Sequence, residues 1–212
     1  MRKIRGFATG LRNGSWSQTK YTNLTQYSPY SSEIRKIVKE NHKLPSINDK
    51  LLIKTYKAKN GLIHPINEDD IRKVLHKIPS EFLMNLRAIY LCSGSEKQKN
   101  YSNVRFGTYH DYYKTIFLHP FPESKCIQYD KKPKPSISLE YERHGAIWYK
   151  EGKGWNLQFD IHSLRSLYLK DVLIHEIGHH VENISHDIKH KSYAQREKFA
   201  DWFALEYGMK KK

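Results

Sequence analysis

Several classes of protein are excluded by what this sequence has little of. Its 212 residues include only two cysteines, Cys92 and Cys126, too few for a disulfide framework or a four-cysteine zinc site. We expect both to be buried thiols. No apolar run approaches the roughly 20 residues that cross a bilayer, and residues 1–14 lack the apolar stretch of a signal peptide. The sequence therefore predicts no transmembrane segment and a reducing, cytoplasmic location.

Acidic residues are also scarce, and unevenly so. The chain has 37 Lys and Arg against 22 Asp and Glu, a formal net charge of +15. Residues 1–60 carry 13 basic and 3 acidic groups, which is two thirds of the excess, whereas residues 161–212 carry 9 and 7. Charge therefore divides the chain into a basic N-terminal extension over 1–60 and a folded domain over 61–212.

The middle of the chain predicts one helix and then a series of short strands. Asn67 is a candidate N-cap, because an acidic first turn and apolar residues at helical spacing follow it. Apolar runs bounded by turn residues predict strands. The candidates are residues 51–58, 88–92, 104–109, 115–119, 145–150 and 155–159. Residues 120–135 contain four of the eight prolines and predict a loop.

The last fifty residues predict two helices. The first carries a long apolar face over residues 164–181. The second begins at Ser192, where Gln195 stands three positions on in a capping-box arrangement. We expect this helix to stop near Gly208, in the position of a C′ glycine. Strands followed by these helices indicate an α+β fold.

The segment 172–180, VLIHEIGHH, carries the chemistry. His175 and His179 lie four residues apart, so their imidazoles project from one face of a helix and can bind one Zn²⁺ ion. Glu176 points beside the metal, where it can take a proton from water and pass it to a leaving amine. This is the HExxH arrangement of zinc metallopeptidases. Gly178 permits another backbone to approach this helix closely. The alternative to a zinc site is a set of histidines that only form hydrogen bonds in the core.

A catalytic zinc ordinarily has a third protein ligand and one open position. The downstream candidates are His186, His190, Glu197 and Asp201. The metzincin pattern requires glycine at position 182 and histidine at position 185. This chain has Glu182 and Ser185, so that subclass is disfavoured.

The HExxH pattern followed by Glu197-Lys-Phe-Ala-Asp201 on a later helix resembles that of the gluzincins. The resemblance covers residues 165–207 and implies that Glu197 is the third zinc ligand. It implies that Asp201 holds the ring of a ligating histidine through its other nitrogen. It also implies a zinc-dependent endopeptidase of protein or peptide substrates. Its zincin-like fold would have a small twisted sheet, an active-site helix and a C-terminal glutamate helix. Minigluzincins, ImmA/IrrE-type peptidases and lethal-factor-type toxins have similar compact domains.

The same resemblance implies an edge strand that pairs with the extended substrate. The first candidate by position is residues 145–150, which begin with Gly145, Ala146, Ile147 and Trp148. The second candidate is residues 115–119.

A donor to the transition-state oxyanion is also expected. The candidates are Tyr193, Tyr207 and His162, among which the sequence does not select. His180 is a weaker one. A ligand role for His180 is disfavoured, because the step from His175 rotates it away from the ligand face.

Three interpretations of the basic extension stay open: a solvated surface, an arm that inhibits the domain by lying in its cleft, and contact with nucleic acid. Residues 1–32 show no sustained periodicity, and a short helix with Ile34, Ile37 and Val38 on one side is predicted after Ser32. Two other functions also stay open. One is a nucleic-acid-associated protein with a structural or degenerate zinc site, and the other is a zinc hydrolase of a non-peptide bond.

Overall fold

The computed structural model of the protein describes residues 50–95, 104–132, 134–185 and 192–210. Across these ranges the fold is mixed α and β, with small sheets beside helices, in agreement with the α+β prediction. The helix predicted after Ser32 lies outside the described residues. Within the described ranges, none of the helices combines the length and apolar character needed to cross a bilayer.

The elements of the described ranges follow in chain order. The strands are β1 (Leu52–Thr55), β2 (Leu62–Ile63), β3 (Ala88–Leu91), β4 (Gly107–His110), β5 (Thr115–Leu118), β6 (Phe121–Pro122), β7 (Cys126–Tyr129), β8 (Ile147–Glu151) and β9 (Gly154–Gln158). The α-helices are α1 (Glu68–Leu75), α2 (Pro135–Glu142), α3 (Ile161–Leu167), α4 (Leu173–Ile184) and α5 (Tyr193–Ala204). Ser80–Leu83 is a 3-10 turn, and the π-helical turns Tyr168–Val172 and Leu205–Met209 follow α3 and α5.

The first sheet has four strands in the order β1-β3-β5-β4. β1, β3 and β5 run parallel, whereas β4 pairs antiparallel with β5. The register aligns Ile53, Ile89 and Ile116, which are buried in the main core. β1 lies inside the segment 1–60 that charge alone assigns to the extension. Its pairing with β3 moves the start of the folded unit to before residue 61.

The second sheet includes part of the stretch that its prolines predict to be a loop. β7 pairs with β9 and β9 with β8, while β6 pairs with β2 in a separate two-stranded ribbon. The loop prediction for residues 120–135 is therefore wrong at β6 and β7. Pro122 is compatible with β6 because β6 pairs on one side only, and edge positions tolerate a missing backbone N–H.

Both predicted helix starts are confirmed, but the predicted helix end is not. The side chain of Asn67 accepts from the backbone N–H of Asp70, and Ser192 accepts likewise from Gln195. Gly208 lies inside the π-helical turn and does not have the left-handed conformation of a C′ residue. A Cβ there would overlap the carbonyl oxygen of Lys170, so Gly208 serves close packing instead.

Helices pack on one face of the four-stranded sheet and form the main core with it. α1 contributes Ile71 and Leu75, and α4 contributes Leu173 and Ile177. Burial of one such side chain contributes about 1.5–3 kcal/mol. The core therefore fixes α4 against the sheet and sets the position of its polar side chains.

An ion cluster around the buried Asp171 carboxylate fixes the start of α4. Arg143 donates to the carboxylate of Asp171, and His144 Nε2 lies 3.2 Å from Asp171 Oδ2. The other ring nitrogen of His144 lies 3.1 Å from the Ser166 hydroxyl. Burial alone raises the pKa of Asp171, but the hydrogen bond from His144 and the charge of Arg143 hold this pKa below its ordinary value. The cluster ties the end of α2 to the π-helical turn ahead of α4.

We expect Asp171→Asn to lower the free energy of unfolding by about 3–5 kcal/mol at neutral pH, the range for breaking a buried pair. The folded-state pKa is depressed, so the contribution of the wild-type carboxylate is complete above the unfolded-state pKa. It is lost as the pH falls through the folded-state value. Urea unfolding of both proteins should therefore converge in acid. The matched control is Asp130→Asn, an exposed carboxylate, for which we expect a change within about 0.5 kcal/mol. Equal effects of the two variants would contradict this role.

Candidate metal site between two helices

The site is built on the close contact of α4 and α5. A Cβ added to Gly178 would lie 2.9 Å from the Cα of Ala200 and 3.1 Å from the Cβ of Phe203. These separations are shorter than normal carbon contacts, so glycine is required for the two helices to approach this closely. The prediction that Gly178 permits a close approach is confirmed. The contact brings Glu197, three residues before Ala200, onto the histidine face of α4.

Three ligand atoms converge between these helices. His175 Nε2 lies 3.1 Å from His179 Nε2, and the Glu197 carboxylate lies 3.5 Å from the first and 3.3 Å from the second. Tetrahedral Zn²⁺ with bonds of 2.0–2.1 Å would hold its ligand atoms roughly 3.3–3.4 Å apart. The three separations, in which Glu197 approaches His175 through Oε2 and His179 through Oε1, are close to this spacing. The structure thus brings together His175, His179 and Glu197 as a group that could hold a metal ion.

The cluster is buried and its charges are strongly coupled. His175, His179 and Glu197 are each at most 6% exposed. Burial raises the pKa of Glu197, but hydrogen bonds and charge from the two histidines outweigh it and lower this pKa well below its ordinary range. Burial lowers the pKa of His175, but the Asp201 and Glu197 carboxylates outweigh it and raise this pKa. The carboxylate of Glu197 is therefore available as an anionic ligand.

Asp201 lies on the far side of the His175 ring from the cluster. Its Oδ1 is 3.1 Å from His175 Nδ1. From this position Asp201 would favour the Nδ1–H tautomer, with Nε2 toward the cluster, when a metal ion replaces the Nε2 proton. Asp201 is one turn beyond Glu197 on α5, which is why one helix supplies both carboxylates. The role that the resemblance implies for Asp201 stays a prediction.

Glu176 lies beside the cluster, beneath strand β4. A Cβ on Gly107 would lie 2.8 Å from Glu176 Oε1, so only glycine lets β4 cross the carboxylate this closely. The backbone N–H of Tyr109 lies near the same carboxylate and favours its charged form, which lowers the Glu176 pKa. Burial raises the pKa of Glu176, while the neighbouring His175 and His179 oppose this rise. Glu176 is thus a buried carboxyl group with an elevated pKa, as general acid–base catalysis requires.

Among the described strands, the edge strand beside Glu176 is β4, and neither strand candidate lies there. Gly145 and Ala146 precede β8, while Ile147 and Trp148 belong to it, and β8 is the edge of the other sheet. Residues 115–119 form β5, which lies inside the first sheet between β3 and β4. The order of the strands in the chain does not give their order in the sheet. β5 pairs with β3, so β4 lies at the edge although it precedes β5 in the chain. Gly107 and Tyr109 carry no motif that signals this placement.

Two of the three oxyanion candidates are placed elsewhere. The ring of Tyr207 packs against Phe82 and Phe203. Tyr207 lies ten residues after Glu197, which is about 15 Å along the helix. His162 is exposed near the start of α3, 13 residues and about 20 Å before His175 on the same continuous helix. Tyr193 is half-buried one turn before Glu197 and remains a prediction.

Of the alternative third ligands, only Asp201 lies within the described residues. His186 and His190 lie outside the described residues, whereas Asp201 contacts the outer nitrogen of His175 and not the convergence point. Neither cysteine belongs to the cluster. Cys92 is buried, as expected, and Cys126 is only half-buried.

His180 serves a hydrogen-bond network that joins β4 to α4. Its Nε2 lies 2.9 Å from the Met84 carbonyl oxygen and its Nδ1 lies 3.0 Å from the Tyr109 hydroxyl, which also accepts from the Asn183 amide. Burial lowers the pKa of His180 to about 4, the Met84 carbonyl opposes this, and Lys114 adds to the lowering. Neutral His180 donates through Nε2 and accepts through Nδ1, so every partner is satisfied. The network holds β4 over Glu176.

On a mixed α/β fold, then, two imidazole nitrogens and one carboxylate define a candidate metal site with a buried glutamate beside it. Comparison of the chain with profiles of known protein families, with curated proteins and with solved structures found no match.

Gly178→Ala should push α4 and α5 apart. We expect a loss of about 1–3 kcal/mol in the free energy of unfolding from overpacking. Displacement of Glu197 should weaken Zn²⁺ binding roughly 10–100-fold, as for other changes that misplace a ligand. Urea unfolding and competition with a zinc-binding dye measure the two effects. The control Ala194→Ser changes an exposed position of α5. Unchanged zinc affinity in Gly178→Ala would show that the helix contact does not set the ligand spacing.

Tyr109→Phe removes the hydroxyl shared by His180 and Asn183. We expect it to cost about 1–3 kcal/mol of unfolding free energy, because the buried ring nitrogen of His180 loses its partner and the Asn183 amide keeps only the Asp111 carbonyl. The matched control is Tyr112→Phe, since the Tyr112 side chain is 80% exposed. If the two substitutions have the same effect on urea unfolding, the hydroxyl does not hold β4 in place.

Proposed function

We propose that the protein is a zinc-dependent endopeptidase of the gluzincin type on a zincin-like fold. The observation that carries the proposal is the convergence of His175 Nε2, His179 Nε2 and the Glu197 carboxylate at separations of 3.1–3.5 Å. Glu176 lies directly beside them. The donor set of two histidines and one glutamate is one that catalytic zinc uses, and it leaves a fourth position for water or substrate.

In this proposal, one set of residues binds the ion and Glu176 transfers the proton. His175, His179 and Glu197 would hold the ion, and Asp201 would orient His175. When bound there, Zn²⁺ would polarise the substrate carbonyl and lower the pKa of a water molecule to about 7. Glu176 would accept a proton as the water oxygen bonds to the carbonyl carbon. It would then pass the proton to the amine nitrogen as the C–N bond breaks. This direct attack requires no covalent enzyme intermediate.

Strand β4 supports a peptide as the substrate. It is the edge of the first sheet within the described residues, and Gly107 and Tyr109 contact Glu176 directly. An extended peptide that adds to this edge would lie alongside the catalytic carboxylate. A hydrolase of a small non-peptide bond has no need for such an edge, so this placement favours the endopeptidase.

The proposal predicts one tightly bound Zn²⁺ per chain and loss of turnover without loss of zinc in Glu176→Gln. The substitution keeps the size of the side chain but removes its basicity, so we expect peptide cleavage to fall by about 10²–10⁴-fold. His179→Ala should lose the metal as well. Plasma emission measures zinc in the purified chains, and mass spectrometry of a peptide library measures cleavage.

The control His76→Ala alters an exposed histidine of the α1 C-terminus and should change neither readout. Full cleavage by Glu176→Gln would contradict the assigned role of Glu176. A chain that binds zinc stoichiometrically but cleaves no peptide would contradict the endopeptidase and favour a structural zinc site.

A further inference from the structure

The four-stranded sheet buries both of its faces, but the described helices cover only one. The second face, here called the outer face, comprises Ala88, Tyr90 and Cys92 at and just beyond β3 and Phe117 on β5. All four side chains are 0% exposed. They form an apolar cluster separate from the main core. This cluster lies on the side of the sheet away from α4 and the metal site, because alternate residues of a strand face opposite ways.

The described neighbours of this cluster cannot by themselves bury it. Within the described ranges, the half-buried Leu52 and Tyr56 are the apolar side chains that pack against it. Tyr90 stacks on Phe117 with ring centroids 5.6 Å apart, and Tyr56 lies 6.1 Å from Tyr90. These contacts lie side by side along the sheet. Full burial also requires a layer above the face, and parallel strands such as β1, β3 and β5 ordinarily have a layer on both faces.

The sequence indicates which segment forms that layer. Residues 96–103 and 186–191 lie outside the described ranges, but they are short and mostly polar. Residues 1–49 include Ile34, Ile37 and Val38, which have the i, i+3, i+4 spacing of an apolar helix face. We propose that residues 33–40 dock as a helix on the outer face. The eleven residues 41–51 that connect this segment to β1 can span roughly 35 Å when extended, more than the roughly 10 Å between packed layers.

Docking in this way gives the basic extension a structural role. On a helix, Arg35, Lys36 and Lys39 lie on the side opposite the three apolar residues, so they would face away from the sheet. The charge of this segment would then lie on the surface behind the sheet. Residues 33–40 would not occupy the cleft over Glu176, which lies on the opposite side.

The buried thiol of Cys92 provides the test. In the full-length chain with Cys126→Ser, Cys92 is the single cysteine, and Ellman's reagent should modify it slowly in the folded protein. Adding Ile37→Asp should detach the segment and raise the modification rate by roughly tenfold or more, because a locally opened face exposes the thiol. The matched control Lys36→Asp changes the charge more but lies on the other side of the predicted helix. It should leave the rate unchanged.

A second variant decides the matter if Ile37→Asp fails to fold. Ile37→Cys in the Cys126→Ser chain is a mild replacement, and oxidation should yield an intramolecular disulfide with Cys92 that Lys36→Cys does not form. Unchanged modification of Cys92 in folded Ile37→Asp, or no difference between the two engineered cysteines, would overturn the proposal. Protection of Cys92 that disappears on dilution would assign the outer face to a second copy of the chain. Protection that depends on added nucleic acid would assign it to that partner.

Discussion

The contact of Gly178 with Ala200 is the constraint on which the candidate site depends. One added methyl group at Gly178 would meet the α5 backbone at 2.9 Å, and helix packing at this distance leaves no room for adjustment. α4 alone presents two histidines on one face. The third ligand atom reaches them because α5 approaches closely enough for Glu197 to enter the same buried space, and the next turn of α5 places Asp201 behind His175.

A second close contact, between β4 and α4, places Glu176 beside the cluster. Gly107 lets the strand pass over Glu176, and the Tyr109 backbone N–H favours the charged form of the carboxylate. Burial raises the pKa of Glu176. The contact with β4 places the same residue next to the edge of the first sheet. One strand crossing therefore brings a buried carboxyl group and a sheet edge together. The Tyr109–His180–Asn183 network fixes this crossing by hydrogen bonds that need no charge.

Local signals in the sequence predicted the parts of the site, and long-range pairing decided how they meet. The spacing of His175 and His179 and the capping box at Ser192 depend only on helix geometry, so both were predictable. The assignment of Glu197 came from a resemblance, and the geometry agrees with it. The edge strand was not predictable, because the order β1-β3-β5-β4 depends on a parallel crossover that no local pattern encodes. The residue types of Tyr207 and His162 are suitable for an oxyanion donor. Their distances along the helices from Glu197 and His175 place both away from the cluster.

The most direct test of the central claim is the position of the metal itself. Crystals of the full-length chain grown with Zn²⁺ and measured on both sides of the zinc absorption edge would locate the ion by its anomalous signal. We predict one strong peak within bonding distance, about 2.0–2.2 Å, of His175 Nε2, His179 Nε2 and a Glu197 oxygen. The fourth position should hold no protein atom. A peak elsewhere, or a fourth protein ligand that closes the site, would contradict the account.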